Sequence, residues 1–201
     1  MNIKLNPLVA HLVKNIPEDS APHFRSQYKK LIAERDTSDV WRQFAIWLLV
    51  DPDHGVIRFT TPLMGSSIIM KIAQLYIDNC QDIDAWHKAA KYAKEIADDA
   101  KLFANLAKIS GDAFFSRAFS EFAAFSSAEL FASCAYIPTM ARSALEAAAT
   151  AFAYATNANV KTSLLKNDFS SKRIAVFAQH RILMAKKLLE LLQLAPLKEI
   201  I

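Results

Sequence analysis

Eight residues recur at alternating steps of three and four along the middle of the chain: Ile83, Trp86, Ala90, Ala93, Ala97, Ala100, Ala104 and Ala107. That step keeps them on one stripe of a single helix. Six of the eight are alanine, so a neighbouring helix can approach toward the short end of the roughly 8–10 Å range of interaxial distances. Tyr92, Ile96, Phe103 and Leu106 flank the stripe and are expected to widen it into a full apolar face. A helix over 82–109 built this way finds its natural cover in other helices, and a packed bundle is the expected fold.

The rest of the chain agrees. Hydrophobic residues fill 53% of the 201 positions, enough for a core, and only three glycines occur, at 55, 65 and 111. A turn-rich β protein needs more positive-φ positions at its hairpins. Helices are expected around Pro7 to Asn15, from a Ser20 cap to Glu34, and from Ser38 or Asp39 through Leu48. Asp51-Pro52-Asp53-His54-Gly55 reads as a turn. Val56 to Thr60 reads as an extended connector, and Pro62 opens a helix through Ile77. Ser110-Gly111-Asp112 stops the alanine-rich helix and caps a phenylalanine-rich one that runs to about Ala135. Two more are expected, from Pro138 to about Thr156 and from Ser171 to Leu194. Short joints favour antiparallel neighbours. The expected class is all-α, an antiparallel bundle of about seven helices in one domain spanning 1–201. Residues 1–80 either share its core or form an N-terminal lobe packed on the alanine-rich bundle 82–194.

Twenty-four basic residues are interleaved with twenty acidic ones, for a net charge of +4. A nucleic-acid binder concentrates its charge on one face or in a run, so nucleic acid is not the expected partner. Lys4, His11 and Lys14 interrupt the apolar pattern of the first sixteen residues, unlike a signal peptide. No stretch supplies about 18 uncharged apolar residues for a membrane span. The chain is read as cytoplasmic, with Cys80 and Cys134 as reduced thiols.

Known chemistries find few of their parts. Asp98-Asp99 and Asn167-Asp168 with Ser171 resemble the paired magnesium motifs of helical diphosphate-binding enzymes. Lys101 and Leu102 follow where a further aspartate is needed, and Ala175 stands where the second motif needs a carboxylate. Asp84 and His87 share a helix face, yet no second such pair completes a metal site. No serine lies on a glycine-flanked elbow and no glycine-rich loop precedes a helix. No catalytic residue, metal or cofactor is assigned.

Two constellations remain. Glu129 falls inside the apolar arc of Phe114, Phe115, Phe122 and Phe125, where a carboxylate needs a partner. Arg142 on the next helix, four residues before Glu146, is the expected one, so Glu129, Arg142 and Glu146 form a candidate polar core cluster. On the last helix Ile174, Ala178, Ile182, Ala185, Leu189 and Leu192 form a core stripe. Phe177, Met184, Leu188 and Leu191 lie on an adjoining arc with His180, Arg181 and Lys187. That second arc either meets a partner or is buried between two neighbours.

The segment Trp86-His87-Lys88-Ala89-Ala90, the alanine-rich helices after it, and Leu183-Met184-Ala185-Lys186-Lys187-Leu188-Leu189-Glu190-Leu191-Leu192 resemble a group of alanine-rich helical bacterial and phage proteins. Some members of that group are labelled immunity proteins of toxin systems. The likeness covers the second half of the chain and carries no catalytic residue with it. It implies a protein that acts by binding, such as an inhibitor of a toxin or effector, with a protein partner or a second copy of the chain on the exposed arc. The alternative is a helical enzyme or small-ligand carrier with its pocket around Glu129, Arg142 and Glu146.

Overall fold

The computed structural model describes residues 3–61, 65–107, 112–158 and 166–198. Its elements are α1 (Leu5–Leu12), α2 (Ala21–Glu34), α3 (Val40–Val50), α4 (Ser66–Ile77), α5 (Ile83–Ala107), α6 (Asp112–Ser133), α7 (Ala141–Ala158) and α8 (Lys166–Leu194). Single 3-10 turns follow α1 and precede α7, and a third covers Val56–Phe59. That third turn replaces the extended connector expected from its β-branched residues. No strand occurs among the described residues beyond one isolated bridge, and none of their helices is long and apolar enough to cross a membrane. Pro62 and the Ser110-Gly111 break lie outside the described residues. The last helix starts five residues before the expected Ser171.

The long helices α5 to α8 lie side by side, each antiparallel to the next. His87 meets the Tyr136 ring beyond the end of α6, while Lys101 lies over Phe122 near its start, so climbing α5 means descending α6. Between α6 and α7 the same reversal is written in hydrogen bonds: Ser120 Oγ donates to the Ala151 carbonyl (2.7 Å) and Ser127 Oγ to that of Ala144 (3.0 Å). A serine hydroxyl reaches a neighbouring backbone only when the helices are close. Ala123, Ala124, Ala128, Ala144, Ala148 and Ala151, all buried, allow that approach. Between α7 and α8, Tyr154 pairs with Arg173 and Glu146 with Arg181.

Helices α3 and α4 pack on one side of this layer. Trp41 of α3 packs on Phe131 of α6 (5.7 Å between centroids), and the buried Tyr76 of α4 donates its hydroxyl proton to the Phe131 carbonyl (2.7 Å). The buried apolar residues form one continuous core that runs from Ile3 to Ala195. Helix α8 carries the N-terminal elements, touching α1, α2 and α3. A reciprocal clasp closes this region. Arg35 bonds the Ala195 carbonyl (2.9 Å) past the end of α8, and Lys198 Nζ bonds the Ile32 and Ala33 carbonyls (2.8 and 3.1 Å) at the end of α2. Each cation satisfies carbonyls near a helix terminus and sits where the helix dipole favours positive charge.

On α5 the seven stripe residues from Trp86 to Ala107 are buried, as spaced, joined by Ala89, while Ile83 is exposed. The expected widening does not occur: Tyr92, Phe103 and Leu106 are exposed, and Ile96 alone of the flank packs on the core. Partner length accounts for Phe103 and Leu106. Helix α4 has 12 residues against 25 in α5, and Gly65, just ahead of α4 with φ of 106°, sits against Ile96. Beyond Ile96 no helix of that hairpin remains to cover the flank.

Candidate interaction surface

The predicted polar trio is not brought together. Glu146 on α7 binds Arg181 Nη2 from α8 (2.9 Å) and His11 Nε2 from α1, and the His11 and Arg181 side chains touch as well. Arg142 is exposed at the start of α7, where its charge disfavours a proton on both His11 and Arg181. Glu129 is half-buried with Lys94 and Asp98 of α5 as its charged neighbours, not Arg142. Burial raises its carboxyl above the usual range, Lys94 works against that, and Asp98 adds to it. His11 is lowered, chiefly by burial and then by Arg181, against the pull of Glu146. The outcome is a charge cluster that pins α1 to the α7–α8 pair.

The predicted α8 interface is mostly internal. His180, Met184, Leu188 and Leu191 are buried within the chain, and Phe177, Arg181 and Lys187 are half-buried. His180 stacks on Phe152 (3.6 Å between centroids, 19° between planes), which in turn meets Phe59 edge-on. The α8 core stripe is shifted too: Ala185 and Leu192 are buried, while Ile174 is 66% exposed. The cause is again neighbour length. Helix α1 has eight residues and meets α8 at the level of Arg181, leaving the first turns of that face uncovered.

Cys80 and Cys134 are free, and burial pushes the Cys134 thiol up to about 12, which makes it an inert core residue. Among the described residues no group of three His, Cys, Asp or Glu is placed to hold a metal. A small cavity of about 70 Å³ lies between α3 and the end of α4, beside Trp41, Arg42, Asn79 and Cys80. It is far below the roughly 300–1,000 Å³ of a small-molecule site.

Comparison with family models, curated proteins and solved structures finds no match to this chain.

What the surface offers is apolar. Near the end of α5 and the start of α6, Leu102, Phe103, Leu106 and Phe114 are each more than half exposed. Phe103 and Phe114 line a cleft of about 200 Å³ with Thr61, Arg117 and Glu121. On the side of the layer away from α3, the half-buried rings of Phe122, Phe119, Phe115 and Tyr154 touch in series. Lys101 lies over Phe122 at one end (5.9 Å) and Arg173 over Tyr154 at the other (4.8 Å), both within cation–π range. Sequence reasoning assigned the flank of α5 to the core and so missed the apolar end. The spacing of Phe115, Phe119 and Phe122 at four and three signalled the aromatic strip within α6. Its continuation through Tyr154 to Arg173 needed the packing of three helices.

Proposed function

We propose that this protein is a non-catalytic binding protein of the immunity type, occluding a site on a toxin or effector. The observation that carries this reading is the cluster of Leu102, Phe103, Leu106 and Phe114, four large apolar side chains left in water at one end of the α5–α6 hairpin. Contiguous exposed apolar surface rimmed by polar groups marks interaction sites, and here Arg117 and Glu121 supply the rim. Phenylalanine and arginine are enriched at interface centres, where anchors fill shallow clefts. The likeness of the second half to alanine-rich proteins of toxin systems supports the same reading. Nothing in it requires a cofactor or a metal.

The test uses Phe103→Ser and Leu106→Ser, both at exposed positions, so the fold is expected to survive, as checked by circular dichroism. Each variant and the wild type are co-purified with the products of the neighbouring genes. The reading expects a stoichiometric complex with the wild type that both variants lose. A wild-type chain that forms no complex, or variants that keep it, would refute it.

A further inference from the structure

The face of α8 that α1 covers does not stop where α1 stops. Level with Arg181 it is occupied: His11 sits on Glu146 and Arg181, and Leu5, Leu8, Val9 and Leu12 of α1 are buried. Nearer the start of α8 the same α7–α8 trough continues as an open cleft of about 200 Å³, lined by Thr150, Ala153, Tyr154, Arg173, Ile174 and Phe177. Its lining is mainly apolar, and Ile174 is 66% exposed. Among the residues whose side chains are described, its one charged group is Arg173, which lies over Tyr154 and has no carboxylate partner there. By contrast Arg181, in the covered part, has Glu146.

We propose that this open half of the trough is a second docking surface, whose occupant is an amphipathic helix of a partner protein carrying a carboxylate for Arg173. Three observations select that occupant. The trough already holds one amphipathic helix, α1, with anchors three and four residues apart, which is the spacing a helix-in-groove partner presents. The cleft is too small and too open for a whole small molecule, but it suits one or two anchor side chains. Its charged group is positive, so the complementary partner is acidic, and a guanidinium lying over a ring presents a fork that matches a carboxylate. The proposal rests on the reading of the chain as a binding protein, but it uses a different surface from the α5–α6 end.

A displayed library of amphipathic helical peptides, with apolar residues at i, i+3, i+4 and i+7 and the other positions random, is selected against the intact protein. The expected result is enrichment of peptides with an acidic residue beside the anchors. Binding should fall at least tenfold with Ile174→Asp. It should also fall with Arg173→Glu and return when the peptide carboxylate is replaced by lysine. Peptides that bind Arg173→Glu and Ile174→Asp as well as wild type would overturn the proposal. So would a selection that enriches no such helix, or a concentration-dependent dimer that Ile174→Asp dissolves, which would make a second copy the occupant. If the neighbouring-gene complex is lost with Phe103→Ser yet unchanged by Ile174→Asp, and no helix is selected, the binding function stands and this surface falls. Loss of the complex with neither set of variants removes the functional reading without touching the peptide result.

Discussion

Acid is expected to loosen this protein through His180. The imidazole is buried and stacked on Phe152, and its Nε2 is sealed from solvent without a hydrogen-bond partner. Burial, with a smaller contribution from nearby His54, lowers its pKa to about 3. An unfolded histidine titrates near 6.5, so below that pH the unfolded chain takes up a proton that the folded chain refuses. The folded pKa is depressed. Stability is therefore complete above about pH 6.5 and drains away as the pH falls toward the folded value. At pH 5 the folded ring is still neutral, and protonation of the unfolded one, about 30 to 1, amounts to about 2 kcal/mol. The assay is urea unfolding at pH 7.5 and pH 5.0 for wild type and His180→Leu. Carboxylates and His11 are common to both proteins, so the comparison isolates one ring. The wild type should lose about 2 kcal/mol more than the variant between the two pH values. Equal losses would mean that His180 is solvated or charged in the folded state, and the reasoning would fail.

Three further perturbations follow from the packing. Ala97→Leu puts extra methylenes on the buried stripe of α5 and should cost about 1–3 kcal/mol, whereas Phe103→Ser on the exposed flank should stay within about 0.5 kcal/mol; thermal melts compare them. Gly55→Ala places a Cβ within 2.5 Å of the Asp51 backbone nitrogen, a contact that only backbone movement relieves, and should lower stability by about 2 kcal/mol in denaturant titration. Glu146→Gln removes the carboxylate that holds both Arg181 and His11; because that carboxylate is a third exposed, the cost should be about 2 kcal/mol rather than the roughly 3–5 of a fully buried pair. Proteolysis between α1 and α2 should accelerate in that variant.

The parts of the fold legible in sequence are those where a residue's own spacing decides its fate. Ala90, Ala93, Ala97, Ala100 and Ala104 are buried as the alternating step requires, and Asp51 makes its turn by accepting the amides of Asp53 and His54 (3.0 and 2.8 Å). What spacing does not encode is how long each neighbour is. Phe103 and Ile174 satisfy the period of a core residue and still face water, because α4 and α1 are short. The polar contacts were hidden for a related reason. Glu146 could be paired from sequence only with residues on adjacent helices, yet its partner His11 lies 135 positions away. Glu129 shares its arc on α6 with the buried Phe125, yet it is itself only half-buried and has Lys94 and Asp98 of α5 as its charged neighbours.

The clasp that Arg35 and Lys198 make between the ends of α2 and α8 can close only once α8 has been translated. Helices α1, α2 and α3 all lean on α8, which is translated more than a hundred residues after them. Until α8 emerges, Leu5, Leu8 and Leu12 lack their wall. The serial hairpins of α5, α6 and α7, whose contacts are local, can assemble first and fast. Helices α1 and α2 therefore wait longest with their apolar side chains unprotected, the stretch most open to association before folding is complete.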